Sequence, residues 1–193
     1  MAHKESLKDM QARLAERLKH AQSSGVSAAW LAVAAGGEKY LLPLRQSGEL
    51  VPVSQWQAVP HTKPWFLGVM NIRGSLFGAI DLAQFIAYAA SESQHATQDT
   101  VHDDGHHAHG GAALNDGTAS IVTISPAIEG NCAVQVNALM GLRGSDAFAS
   151  STSARADAPP FFGDQFFDAQ GERWQEINLQ ALSQSPQFLN ISA

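Results

Sequence analysis

The chain has 193 residues, which allows one domain of ordinary size or two small ones with enough core to fold without disulfides. Twelve Lys and Arg against 18 Asp and Glu give a net charge of -6, which argues against a protein built to neutralise nucleic-acid phosphates. The single cysteine, Cys132, excludes a disulfide framework and a cysteine-based zinc site. It lies in an alternating apolar stretch, where we expect it to be buried and inert.

No uncharged apolar run approaches the roughly 18 residues that a membrane-spanning helix needs. The apolar segment 26–35 follows a long stretch that carries acids among its bases, unlike a short basic leader. We therefore expect a cytoplasmic protein.

The N-terminal segment 1–25 has the pattern of an amphipathic helix followed by a linker. Apolar residues recur there at spacings of three and four without Gly or Pro: Leu7, Met10, Leu14, Leu18 and Ala21. The narrow apolar stripe allows this helix either to pack on the fold or to bind a partner.

From residue 28 the pattern changes to short apolar runs separated by Gly and Pro, which is typical of β-structure. Hairpin turns are predicted at Gly36-Gly37 and at Gly74-Ser75. Pro43 predicts an edge position or a bulge for its strand. The predicted strands are 29–35, 38–44, 48–53, 68–73 and 76–81.

A helix is predicted over 82–90, followed by a polar insertion at 90–118 that we expect to be disordered. The insertion carries five acids, no base and five of the eight histidines. Imidazoles and carboxylates are ligands for Zn, Ni or Cu, but a disordered tether would lose about 1–2 kcal/mol of backbone entropy per ordered residue. The alternatives are a solvated linker and a metal-responsive element built from His95, His102, Asp103, Asp104, His106, His107 and His109.

Order is predicted to resume in strands 119–125 and 132–136. The polar stretch 145–160 has the composition of a loop, and a hairpin is predicted through Phe166, Phe167, Gly171 and Trp174. Asn178 is placed to cap a short helix before Pro186.

Known catalytic signatures are absent from the sequence. There is no phosphate-binding glycine run ending in Lys-Ser/Thr, no G-x-G-x-x-G, no H-E-x-x-H and no G-x-S-x-G. The histidines do not pair with a plausible nucleophile. We therefore expect no enzymatic activity and no cofactor.

Residues 40–82 contain, in order, the acid-hydrophobe pair Glu49-Leu50, the run GVMNIRG at 68–74 and the strand end Ile80-Asp81-Leu82. With these motifs the segment resembles the first half of the CheW family of chemotaxis coupling proteins. In that family an acid-hydrophobe pair follows the second strand, then come G-V-x-N-L-R-G and an apolar strand ending in D-L. Glu49-Leu50 match the pair, GVMNIRG at 68–74 matches the central motif, and 80–82 match the strand end. The spacing fits without a gap.

The resemblance implies a mainly β fold of two five-stranded β-barrel-like subdomains over 26–193, with the N-terminal helix and short additional helices. It also implies a non-catalytic adaptor that couples a methyl-accepting chemoreceptor to a CheA-type histidine kinase. Such a protein would be cytoplasmic, recruited to membrane-bound receptor arrays, without direct membrane insertion and without nucleic acid.

The leading helix, the tryptophan-rich turn and the second half are most similar to the variant used in type IV pilus twitching motility, the PilI group. The flagellar counterpart is the alternative within the family, and a metal-responsive regulatory module is the alternative outside it. Asn137 and Ser47 stand where the family has an aspartate and an apolar residue.

The resemblance also gives the candidate partner-binding residues. Glu49 and Arg73 are expected to order an interface, the alternative being a structural ion pair or turn clamp. Val69 and Ile72 are candidates for the core as well as for the interface, and Trp65 for packing or partner contact. The full set is Glu49, Leu50, Trp65, Val69, Asn71, Ile72, Arg73 and Gly74.

Overall fold

The computed structural model describes residues 29–95, 119–128 and 130–193. The predicted N-terminal helix and residues 96–118 of the predicted insertion lie outside the described residues. The strands are β1 Trp30–Ala35, β2 Glu38–Pro43, β3 Ser47–Pro52, β4 Phe66–Ile72, β5 Ser75–Asp81, β6 Ser120–Ile124, β7 Cys132–Val136, β8 Ala138–Arg143, β9 Phe148–Thr152, β10 Phe162–Asp168 and β11 Arg173–Ile177. The helices are α1 Leu82–His95, α2 Leu179–Gln184, α3 Pro186–Leu189 and a short 3-10 turn, Ser145–Ala147.

The strands form two sheets that exchange segments of the chain. A six-stranded sheet has the order β8-β1-β2-β11-β10-β9, and a five-stranded sheet has the order β3-β6-β7-β5-β4. From β1 onward the chain forms two strands of the six-stranded sheet, then the whole five-stranded sheet, and then returns to the six-stranded sheet with β8. The fold is mainly β, as predicted, although one sheet has six strands instead of five.

Most strand pairs are antiparallel hairpins, and two pairs are parallel. Gly36 and Gly37 have φ of 60° and 83°, which confirms the predicted turn between β1 and β2. The parallel pairs are β5 with β7 and β2 with β11. Each of these joins segments far apart in the sequence.

The main core joins both sheets and the three α-helices of the described residues. It takes Leu31 and Val33 from β1, and Val122 and Val134 from β6 and β7. Helix α1 begins after Asp81, whose carboxylate accepts a hydrogen bond from the backbone N–H of Gln84 at 3.0 Å. Its inner face buries Leu82, Phe85 and Ala89, at the spacing predicted for an amphipathic helix.

Two smaller buried clusters lie on the faces of the sheets opposite the main core. Met70, Ile72, Ala79, Ile121 and Ala133 lie on the five-stranded sheet. On the six-stranded sheet the cluster contains Ala32, Leu41 and Trp174. Each sheet therefore packs on both faces, which agrees with a barrel-like shape.

Several local predictions differ from the structure. The segment 145–160 is not only a loop, because it contains β9, and β8 was not predicted at all. Strand β2 is an interior strand, contrary to the prediction from Pro43. Pro43 is tolerated because β11 pairs with β2 only at Tyr40 and Leu41. On the other side Pro43 lies opposite Trp30 of β1, and the N–H of Leu44, not of residue 43, donates to the carbonyl of Ala29.

Helix α1 continues to His95, five residues beyond its predicted end at Ala90. Ala89 is still buried, and the side chain of Ser91 bonds to the carbonyl of Tyr88. The helix therefore includes the first residues of the predicted insertion.

Candidate functional site

The loop between β4 and β5 is a tight two-residue turn at Arg73 and Gly74. Their φ angles are 51° and 88°, so both residues lie in the left-handed region that a type I′ hairpin turn requires. The side-chain oxygen of Asn71 accepts a hydrogen bond from the backbone N–H of Gly74 at 2.9 Å. The turn starts one residue earlier than predicted and presents Arg73 at its tip.

Arg73 forms an ion pair with Glu49. The distance between Arg73 Nε and Glu49 Oε2 is 2.9 Å, and the two side chains are 79% and 48% exposed. Glu49 lies on β3 and Arg73 follows β4, which are the two edge strands of the five-stranded sheet. A contact between opposite edges requires the sheet to curl, so the ion pair closes one end of a barrel.

A cavity of about 170 Å³ lies beside this ion pair. Apolar and polar side chains share its wall, and Ile72 is buried beneath it. The lining residues are Gly48, Glu49, Ile72, Arg73, Ser75, Phe77, Thr123, Ile124 and Pro126. The arrangement combines a charged rim with an apolar recess, which suits recognition of another protein better than chemistry.

The structure separates the other candidate residues into surface and core. Leu50 is 49% exposed, and Asn71 and Gly74 are also exposed. Ile72 is buried, in agreement with its core alternative. Val69 is half-buried, and its backbone exchanges two hydrogen bonds with Gln57.

Trp65 is only 1% exposed and packs in the main core. Its ring stacks on Phe188 of α3 with centroids 6.0 Å apart and meets Phe85 of α1 edge-on at 5.1 Å. Of the two alternatives for Trp65, the structure therefore shows packing, and a direct contact between this side chain and a partner would need the core to open.

Two features, one buried and one exposed, were not predicted from the sequence. Thr123 lies on β6, and its hydroxyl accepts a hydrogen bond from the backbone N–H of Glu49. Nothing in the alternating pattern of its strand marks Thr123 as a functional residue. Leu139 and Leu142, on β8, are 40% and 60% exposed. The short apolar run ALMGLR that contains them is the signal that would have predicted β8.

Cys132 is half-buried rather than fully buried. Burial raises the pKa of its thiol above the ordinary value, which disfavours the reactive thiolate. The described part of the chain contains no cluster of three or more His, Cys, Asp or Glu side chains placed to hold a metal ion. Among its helices, none combines the length and apolar character needed to cross a membrane.

Two of three comparisons with known proteins give a match. Comparison with curated protein sequences yields no match. The structure is similar to the crystal structure of the scaffolding protein TtCheW from Thermoanaerobacter tengcongensis, with a TM-score of 0.56 and 15% identity over 82% of this chain and 93% of that chain. At this identity the similarity concerns the fold alone.

The model of the CheW-like domain matches residues 29–142. This range is more than half of the chain and contains Glu49, Arg73 and all strands of the five-stranded sheet. The chain therefore belongs to the family of proteins with a CheW-like domain.

Proposed function

We propose that this protein is a non-catalytic adaptor that couples a methyl-accepting chemoreceptor to a CheA-type histidine kinase. The observation that carries the proposal is the exposed Glu49–Arg73 ion pair, which lies on the motif that the chain shares with the CheW family. The ion pair, the turn that holds it and the cavity beside it form a surface for another folded domain.

The kinase is proposed to bind at this ion pair. The ion pair leaves the Arg73 side chain 79% exposed, so most of its guanidinium is accessible to a partner. A planar guanidinium with free donors recognises carboxylate or carbonyl oxygens in a way that lysine reproduces poorly. Leu50, exposed beside Glu49, adds an apolar contact.

The receptor is proposed to bind along β8, one of the two edge strands of the six-stranded sheet. Leu139 pairs with Val33 and Leu142 with Leu31, so each leucine lies on the same face as a core residue of β1. The apolar face that this sheet turns toward the core thus continues onto the exposed edge strand β8. An apolar stripe of this kind fits the apolar face of a helix, such as those in a receptor's cytoplasmic tip.

We further propose that the pathway is type IV pilus twitching motility rather than flagellar chemotaxis. This part of the proposal rests on the N-terminal segment, the tryptophan-rich turn and the second half of the sequence, which resemble those of the PilI group. Recovery of a pilus receptor and its kinase with the tagged protein from native cells would support it. Recovery of flagellar partners would contradict it.

A reconstituted receptor–kinase assay tests the ion pair. Arg73→Ala, Arg73→Lys and Glu49→Lys should remain folded and should weaken receptor control of the kinase, because exposed ion pairs contribute only about 0–1 kcal/mol to stability. Arg155→Ala is the matched control, since Arg155 is 76% exposed and pairs with Asp157 at 2.9 Å.

Loss of stability with normal coupling in the Arg73 variants would show that the pair is only a turn clamp. The same assay with labelled ATP tests the absence of catalysis. Label should appear on the kinase or on its response regulator, and stable label on this chain would contradict the adaptor role.

The leucines on β8 are tested separately. Replacing Leu139 and Leu142 together with serine should weaken receptor binding and leave kinase binding unchanged. Leu189→Ser is the matched control, because Leu189 is 68% exposed and lies on α3. Unchanged receptor binding in the double variant would contradict the assignment of this edge.

A further inference from the structure

Glu49 lies in a β-bulge of the edge strand β3. Ser47 pairs with Ile124 and Leu50 with Val122, so Gly48 and Glu49 together face the single residue Thr123 of β6. A bulge of this type interrupts the ladder and changes the direction of a side chain. The direction of the Glu49 carboxylate therefore depends on how the bulge is held.

The side chain of Thr123 holds the bulge. Its hydroxyl accepts a hydrogen bond from the backbone N–H of Glu49 at 2.7 Å, and the hydroxyl oxygen lies 3.4 Å from the carbonyl oxygen of Glu49. Thr123 is only 4% exposed. The hydroxyl thus replaces the ladder partner that the bulge removes from Glu49.

Gly48 makes this contact possible. A Cβ atom at position 48 would lie 2.4 Å from the Thr123 hydroxyl oxygen and 3.2 Å from two backbone carbonyl oxygens. Any side chain at this position would displace the hydroxyl or the strand. Gly48 and Thr123 therefore form one close-packed unit behind Glu49.

We propose that Thr123 is a positioning residue for the partner-binding ion pair, with Gly48 as its packing partner. The proposal rests on the proposed function, since Thr123 acts through Glu49 and not on the partner itself. The hydroxyl of Thr123 fixes the backbone of Glu49, and this backbone sets the carboxylate within reach of Arg73. Thr123 also lines the cavity beside the pair.

Thr123→Val tests the proposal because valine keeps the shape of threonine and removes the hydroxyl. We expect it to weaken binding to the regulatory domain of the kinase about three- to tenfold, the range for loss of one hydrogen bond. Thr123→Ser, which keeps the hydroxyl, should bind within about twofold of the wild type.

A double-variant cycle separates positioning from general stability. In a Glu49→Ala background, Thr123→Val should cause no further loss of binding, while its effect on the melting temperature should persist. Equal loss of binding with and without Glu49, or unchanged binding in Thr123→Val while Glu49→Ala binds more weakly, would overturn the proposal. If Thr123→Val does not fold, Gly48→Ala takes its place in the cycle, because the added Cβ displaces the same hydroxyl.

The NMR signal of the Arg73 Nε–H gives a readout that needs no partner. We expect Thr123→Val to move this signal toward that of a free arginine, as Glu49→Ala does, and Thr123→Ser to leave it in place. An unmoved signal in Thr123→Val would overturn the positioning role. A moved signal with unchanged kinase binding in all variants would instead contradict the proposed function and leave the positioning role standing.

Discussion

At the scale of single residues, Arg73 has a conformation that its side chain disfavours. A residue other than glycine in the left-handed region costs roughly 1–2 kcal/mol, with asparagine the usual exception. The exposed ion pair with Glu49 contributes only about 0–1 kcal/mol. Stability alone therefore does not account for an arginine at this position, and the proposed contact with a partner does.

Arg73→Asn is expected to separate stability from function. Asn-Gly is the pair most typical of a type I′ turn, so the melting temperature should be unchanged or raised by about 2 °C. Receptor control of the kinase should be lost. Circular dichroism melts and the reconstituted assay measure the two effects, and a variant with normal coupling would contradict the interface role.

At the scale of elements, the start of β4 is held between helices α1 and α3. Trp65 immediately precedes β4, contacts Phe85 of α1 and Phe188 of α3, and is fully enclosed. The backbone carbonyl of Trp65 also accepts a hydrogen bond from Asp81 at the start of α1. The Trp65 ring thus packs the start of β4 against the two helices. Because the ring is enclosed, it is not available for contact with a partner.

Trp65→Ala should destabilise the protein by about 3–5 kcal/mol, the usual cost of removing a large ring from a core. Leu50→Ala, at an exposed position, should change stability by less than about 0.5 kcal/mol. Urea unfolding measures both. Equal and small effects would show that Trp65 does not have the packing role that its burial indicates.

The polar segment after α1 is expected to contribute little to stability. Its sequence lacks the apolar residues needed to offset the entropy of ordering. Because α1 continues to His95, the deletion that tests this should remove 96–118 rather than 90–118. We expect a melting temperature within a few degrees of the wild type, intact partner binding and at most weak binding of Zn or Ni.

Unfolding of the deletion variant would contradict the linker interpretation. Stoichiometric binding of Zn or Ni at micromolar concentration or tighter, with altered kinase association, would favour the metal-responsive alternative. A deletion of 90–118 serves as a comparison, since it also removes the last turns of α1 and should be less stable.

At the scale of the whole molecule, the two sheets share one core. The chain leaves the six-stranded sheet after β2 and returns to it with β8, and the core contains side chains of both sheets. If one sheet separated from this core, the core-facing side chains of the other sheet would become exposed to solvent. We therefore expect the described fold to unfold as one cooperative unit.

Val33→Ala in the six-stranded sheet and Val134→Ala in the five-stranded sheet test this cooperativity. Both side chains are fully buried, so each substitution should cost about 1–3 kcal/mol. Calorimetry should show one transition that moves to lower temperature in both variants. Two separate transitions, each moved by only one of the substitutions, would contradict a shared core.

Much of this protein follows from the sequence because its signals are local. A short apolar run predicts β1, and the alternation of apolar residues predicts β7. Gly36-Gly37 predicts a hairpin, and Asn178 predicts the cap of α2, where its side chain accepts a hydrogen bond from the backbone N–H of Ala181. The motif at 68–74 also places Arg73 at a turn. Each of these features is determined by residues within a few positions of one another.

Only the tertiary structure decides which surface these elements form. Glu49 meets Arg73 because the five-stranded sheet curls until its opposite edges approach, and Thr123 reaches Glu49 across 74 positions of sequence. Trp65 is enclosed because helices from distant parts of the chain cover it. Local patterns determine strands and turns through backbone preference, whereas pairing and burial depend on contacts between segments that the sequence keeps far apart.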